Sequence, residues 1–293
     1  NLGMMRNAIA GFAQARGEFV LKLDDDDRLH PDALAKLVAP LLAHPELTLS
    51  FASFDLIDAE GRPLAQRTAA HEAHSGRDQL SPGRHQPFDR LVACGAVGLV
   101  CALVRRDAVD WDAVPDDVAT AYDRHIALQA ARHGAAAWYV DRPLASYRIH
   151  DGADSVTAAT RQSLGSLRAI ELALAAGDHT DRAALLQEAQ QGALRTARLL
   201  LREARPRQAI RVVAEGRPST PVRSARGVLW RAVRRRPDRA LLRLAAVASL
   251  PTGLARRVAR HRQAAHERRD VTLSRSNSSV PRRSSRCRAD ATP

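Results

Sequence analysis

The stretch Gly17–Leu37 reads GEFVLKLDDDDRLHPDALAKL. Four aspartates, Asp24 to Asp27, directly follow the apolar run Glu18–Leu23. Adjacent carboxylates repel one another and are costly to take out of water. The apolar run predicts a short central strand. Pro31 fits the first position of a following helix. Leu34, Leu37, Val38, Leu41 and Leu42 form a helical stripe that runs to about His44. A second strand is predicted over Leu47–Asp55, closed by a turn at Asp58–Gly61. The strand–helix–strand order implies an α/β layer.

Working outward, Asn1–Arg16 is expected to be helical, with Leu2, Met5, Ile9, Phe12 and Ala13 on one face. Residues 65–90 are polar, with scattered Gly, Pro and His, and are expected to form a long surface loop. Gly95–Val104 is expected to be a strand and Val118–His133 a helix closed by Gly134. Ala136–Val140 is expected to be a short strand, with Pro143–His150 as a separate segment after it. Beyond Gly152, three Ala/Leu/Arg helices are predicted at Ser163–Ala176, Asp181–Ala204 and Pro206–Ala214. A basic helical stretch, Arg226–Arg262, is broken at Pro237 and Pro251. From about Arg268 the chain is Arg/Ser-rich and expected to be disordered.

The composition bounds the class. The chain has 293 residues, of which 45% are hydrophobic and 26% charged, the range of a globular protein. No apolar run reaches the roughly 18 residues needed to cross a bilayer. Cys94, Cys101 and Cys287 make neither a disulfide framework nor a zinc site, so a reducing, cytoplasmic setting is the default. The net charge of +13 is unevenly spread. Acidic residues exceed basic ones by four over residues 1–150, and basic residues exceed acidic ones by seventeen over the rest. That asymmetry predicts two regions with different roles. Lysine occurs only at Lys22 and Lys36.

An Asp run has several readings. The bland one is a solvated acidic loop. An EF-hand is excluded, because the sixth position from Asp24 is Leu29 and the twelfth is Ala35. A phosphoaspartate loop expects Thr or Val where Asp27 stands. Ligands of parallel α/β sheets bind beyond the carboxyl ends of strands, and converging carboxylates there suit a hard divalent cation. In an extended segment Asp24 and Asp26 would share one side and Asp25 the other.

Further motifs decide among these. Arg6-Asn7-Ala8, Ala15-Arg16-Gly17-Glu18-Phe19-Val20, Leu23-Asp24-Asp25-Asp26-Asp27 and Pro31-Asp32-Ala33-Leu34 occur in that order. Together they resemble the family 2 glycosyltransferases of the GT-A fold. Tyr122–Gly134 is similar to that family's Glu-Asp helix, and Pro143-Leu144-Ala145-Ser146-Tyr147-Arg148-Ile149-His150 to its Pro-Leu-x-x-Tyr-Arg-x-His segment. The resemblance covers residues 1–155. It implies a Rossmann-like mixed sheet with helices on both faces, followed by an all-α extension. The expected organisation is a GT-A domain at 1–155, a basic helical extension at 156–265 and an Arg/Ser-rich tail at 266–293.

The resemblance also implies an activity: inverting transfer of a sugar from a nucleotide-diphosphate donor to a glycan or lipid-linked acceptor in cell-surface glycan synthesis. Asp24 would contact the nucleotide and Asp26 would hold Mn²⁺ or Mg²⁺ on the diphosphate, with Asp24 close to that metal and Asp27 in support. Asp123 would be the catalytic base; alone it reads as a surface helix residue. His150 reads equally as a metal or diphosphate ligand and as a loop histidine. Arg148 reads equally as a phosphate partner and as a structural ion pair. Trp111 and Trp138 read as packing residues, although Trp111 lies where acceptor sugars would stack. The chain departs from the family pattern at Tyr122, where Glu is usual, and at Gln129, where Arg is usual. It opens on Asn1 with no counterpart of the family's first strand–helix–strand unit, so N-terminal truncation is expected. The rival reading is a non-catalytic remnant that acts as a scaffold through its basic half. Val228, Leu229, Val233, Leu241, Leu242, Leu244 and Val247 interleave with Arg, which suggests a peripheral membrane surface. Nucleic acid is the weakest partner reading, with no aromatic platform or known motif.

Overall fold

The computed structural model describes residues 3–149 and 159–215. A helix, α1 (Met4–Gln14), leads into β1 (Phe19–Leu21). The aspartate run follows, then β2 (Arg28–Leu29), α2 (Ala33–Ala43) and β3 (Leu47–Ile57). Next come α3 (Ala65–Ser75), β4 (Gly83–His85), α4 (Asp89–Cys94), β5 (Ala102–Arg105), α5 (Tyr122–Ala130) and β6 (Ala136–Arg148). Three helices close the described chain: α6 (Ala159–Ala176), α7 (Arg182–Arg202) and α8 (Pro206–Glu215).

The strands form one mixed sheet in the order β1-β5-β3-β6-β2, with β4 also on β6. Only β3 and β6 run parallel; the other pairings are antiparallel. This is an α/β sheet of the GT-A kind. Its central strand, β3, is buried along nearly its whole length, as a strand covered on both faces must be. Ala33, Leu37 and Leu41 of α2 pack into a core with Leu47, Phe54, Leu56, Leu103 and Leu144. Elsewhere Phe51 and Tyr139 pack in a tilted pair with ring centroids 5.1 Å apart, both essentially inaccessible to water.

Several expectations are corrected. β1 is not central: among the described strands it ends the sheet and pairs only with β5. The α2 stripe is narrower than expected. Leu34 and Leu42 are 55% and 63% exposed, because the seam faces the sheet at four-residue spacing through Ala33, Leu37 and Leu41.

Residues 65–90 are not a loop but α3, a 3₁₀ turn, β4 and the start of α4. Polar and aromatic contacts hold them. The Leu56 N–H donates to Thr68 Oγ1 at 2.9 Å, and the His71 ring lies 5.1 Å from Phe54. The buried Arg77 guanidinium sits 4.5 Å over that same ring and 3.1 Å from Glu72. None of these contacts produces an apolar period.

The expected strand at Gly95–Val104 shrinks to β5, because α4 runs to Cys94 and Gly95 turns the chain at φ 88°. The expected helix from Val118 starts only at Tyr122; Ala119 at φ 47° breaks the preceding 3₁₀ turn. The two segments expected around Pro143 are one strand. Pro143 falls where the β3–β6 register shifts, and an irregularity of that kind tolerates a residue without an N–H.

Two compact units divide the chain after Glu188. In the first, α6 packs on α5 and on the 3₁₀ turn before it. Its Gly165 is forced by close approach, since a Cβ there would collide with the Val118 carbonyl. The described part of the second unit is the rest of α7 and α8, which bury Ala193, Ala197, Leu200, Ala209, Val212 and Val213. The boundary expected near residue 155, the basic stretch Arg226–Arg262 and the tail at 266–293 lie outside the described residues. Among the described residues no helix is long and apolar enough to cross a membrane.

Candidate active site

β1 delivers Lys22 and Leu23, and the aspartates turn the chain: the Asp27 N–H donates to the Asp24 carbonyl at 3.2 Å. β2 then pairs with Ala145 and Ser146 of β6, which brings Arg148 beside the turn. The Arg148 N–H donates to Asp27 Oδ1 at 2.9 Å. Its Nε donates to the Asp26 carbonyl at 2.9 Å, and its Nη1 to the carbonyls of Asp58 and Ala59 at 2.9 and 2.8 Å. One guanidinium therefore ties the aspartate turn to the end of β3. The phosphate role considered for Arg148 competes with these three carbonyls.

Asp25 points to solvent, while Asp24, Asp26 and Asp27 are half-buried. Burial pushes the Asp27 carboxyl up to about 6. The Arg148 N–H bond opposes this, and the neighbouring charges of Asp26 and Asp24 add to it.

The first turn of α5 lies across from the aspartate turn. Lys22 links the two sides. Its Nζ hydrogen-bonds Asp24 Oδ2 and sits 5.8 Å from the Tyr122 ring centroid. Burial works against the Lys22 charge, but Tyr122, Asp24 and Asp123 outweigh it and hold its pKa above the ordinary value. Burial likewise raises the Asp123 pKa. The Arg124 N–H, which donates to Asp123 Oδ1 at 2.7 Å, and the charges of Lys22 and Arg124 pull the other way. The charge of Asp24 adds to the rise of the Asp123 pKa.

The two departures from the family pattern are both packed. Tyr122 is 2% exposed and lies against Lys22. Gln129 is buried and grips the backbone of Asp110: its Oε1 accepts the N–H at 2.9 Å, and its Nε2 donates to the carbonyl at 3.3 Å. Trp111 donates to the Arg106 carbonyl at 2.9 Å and packs on Phe12. Trp138 stacks on His44. His150 lies outside the described residues. Lys22 is the residue that sequence reasoning missed. The available signal was a lysine two positions before an Asp run in a chain whose cations are otherwise almost all Arg.

A divalent cation can be tested against this donor set. Among the described residues no group of three or more His, Cys, Asp or Glu is arranged to hold a metal ion. A cage made by protein alone is therefore not what these residues offer. They fit the other mode, in which one or two carboxylates bind the ion and substrate phosphates complete its shell.

Comparison with known proteins places the segment. Residues 1–110 match the family model described as Glycosyl transferase family 2. This segment, a little over a third of the chain, is what is similar to glycosyl transferase family 2. The match takes in α1, β1, the aspartate turn, the α2–β3 layer and β5, and it stops short of Asp123 and Arg148. A 55-residue stretch is 47% identical to the O-antigen biosynthesis protein RfbC of Myxococcus xanthus. That stretch is 19% of this chain and 4% of the relative, so nearly all of the relative lies outside the comparison.

Proposed function

We propose that the chain is an inverting glycosyltransferase that moves a sugar from a nucleotide-diphosphate donor to an acceptor hydroxyl in the building of cell-surface glycan. One observation carries the reading. The aspartate turn and the start of α5, distant in sequence, meet around Lys22. A donor-side carboxylate cluster and an acceptor-side base are the two halves such a reaction needs. The family match and the name of the Myxococcus relative support it further.

The proposed roles are these. Asp26, with Asp24 beside it, holds Mn²⁺ or Mg²⁺ against the donor diphosphate. Such an ion supplies Lewis-acid stabilisation of the leaving group. Asp123 takes the proton of the attacking hydroxyl. An ordinary carboxylate is a weak base, and the upward pressure of burial on Asp123 makes it a better one. Arg148 acts by fixing the turn that carries Asp26 and Asp27. A peripheral membrane position is part of the proposal. It rests on exposed Arg195, Arg198 and Arg202 of α7 and Arg207 and Arg211 of α8, which suit anionic headgroups.

Isothermal titration of the 293-residue chain with UDP, GDP and dTDP, with and without MnCl₂, tests the donor side. The expected result is Mn²⁺-dependent binding of at least one nucleotide, lost in Asp26→Ala. If none binds under either condition, the transferase reading falls and the non-catalytic scaffold reading takes its place.

A further inference from the structure

The site contains a cation of its own. The Lys22 side chain is only 15% exposed, and its ammonium bonds to one carboxylate of the aspartate turn. The same ammonium faces the Tyr122 ring and lies within the electrostatic reach of Asp123. It is therefore placed between the two halves of the proposed reaction and not at their rim. Arg148, which also reaches the turn, directs Nε and Nη1 at backbone carbonyls. The ammonium bound to an aspartate carboxylate here is that of Lys22.

We propose that Lys22 is a resident counter-ion that sets how strongly this site binds a divalent cation. It neutralises Asp24, so that a metal held on Asp26 must share the turn with a charge already present. The proposal rests on the placement of the metal in the transferase reading. Its physical content is simple. A dipositive ion about 6 Å from an ammonium is repelled by enough to cost about tenfold in affinity even at the dielectric constant of water, and more in a half-buried site. In exchange, the ammonium prevents Asp24, Asp123 and an incoming diphosphate from repelling one another when the metal is absent. Tyr122, standing where the family pattern has Glu, fits this arrangement: an uncharged ring packs against the ammonium where a third carboxylate would compete for it.

The test is calorimetric titration of the 293-residue chain with MnCl₂, without and with UDP present to complete the ion's shell, comparing wild type, Lys22→Met and Lys22→Arg. Circular dichroism confirms folding, and Lys22→Gln replaces the Met variant if that one unfolds. The expected result is Mn²⁺ binding at least about tenfold tighter in Lys22→Met, with Lys22→Arg close to wild type. Unchanged or weaker binding in Lys22→Met, or no Mn²⁺ binding by any variant, overturns the proposal. Nucleotide-sugar turnover reads the transferase reaction separately. An active wild type with a metal-indifferent Lys22→Met rejects the counter-ion alone. Tighter Mn²⁺ binding in Lys22→Met without turnover by the wild type supports the counter-ion and rejects the reaction.

Discussion

Asp27→Asn probes the strain in the aspartate turn. Burial and two neighbouring carboxylates raise the Asp27 pKa from 3.8 to about 6. An acid whose folded pKa exceeds its unfolded value binds more protons folded than unfolded between the two. The wild type therefore loses stability as pH rises from about 4 to about 6, and the loss persists at neutral pH. At full weight such a shift is worth about 3 kcal/mol. Solvent at the half-exposed carboxylate reduces it to about 1–1.5 kcal/mol. Asn keeps an oxygen for the Arg148 N–H that Asp27 Oδ1 accepts at 2.9 Å, so the turn is retained while the charge is removed. Urea unfolding of wild type and Asp27→Asn at pH 4, 6 and 8 measures the difference. The variant should gain about 1 kcal/mol on the wild type between pH 4 and pH 8, equivalent to about 2–4 °C in Tm. A difference that does not change with pH, or a variant that loses ground at pH 8, refutes the reasoning.

Substitutions at three other positions probe the frame around the site. Arg148→Ala removes three donated hydrogen bonds to backbone carbonyls, two of them part-buried, and should cost about 1–3 kcal/mol in urea unfolding. Arg148→Lys should not restore it, because an ammonium cannot reach all three with the guanidinium's fixed fork. Gly165→Ala should cost about 2 kcal/mol or more, since the new methyl meets the Val118 carbonyl and α6 must shift; an unchanged Tm would show that the approach is looser. Gln129→Ala should cost about 1–3 kcal/mol by stranding the Asp110 N–H and carbonyl. It should leave nucleotide affinity unchanged by calorimetry, which a ligand-contacting Gln129 would contradict.

Part of the region around the aspartates was legible in sequence. The apolar run before Asp24 and the Leu37/Leu41 seam follow from local periodicity, which is set by the face that meets the sheet; the sequence reads the aspartates as an extended segment, and the fold turns them instead. Residues 65–90 were not legible. Their anchors are Thr68 on a strand N–H, His71 against Phe54 and Arg77 over the same ring, and such contacts leave no repeating apolar signal. β6 was divided in two at Pro143 because a proline ordinarily ends a ladder; the register shift opposite Ser53 absorbs it. The terminal place of β1 depends on partners distant in sequence, Leu103 to Arg105 of β5. Lys22 escaped notice for the same reason. Its meaning comes from Tyr122 and Asp123, which only the folded chain brings to it.

The central claim is that Asp26 and Asp123 serve two halves of one transfer reaction. The most direct measurement is release of nucleoside diphosphate from a panel of nucleotide sugars, with acceptor glycan and MnCl₂, by wild type, Asp26→Ala and Asp123→Asn. The account predicts release by the wild type, none by Asp26→Ala, and at least a hundredfold slower release by Asp123→Asn with nucleotide binding retained. Wild-type rates in Asp123→Asn, or in Asp26→Ala, would contradict it.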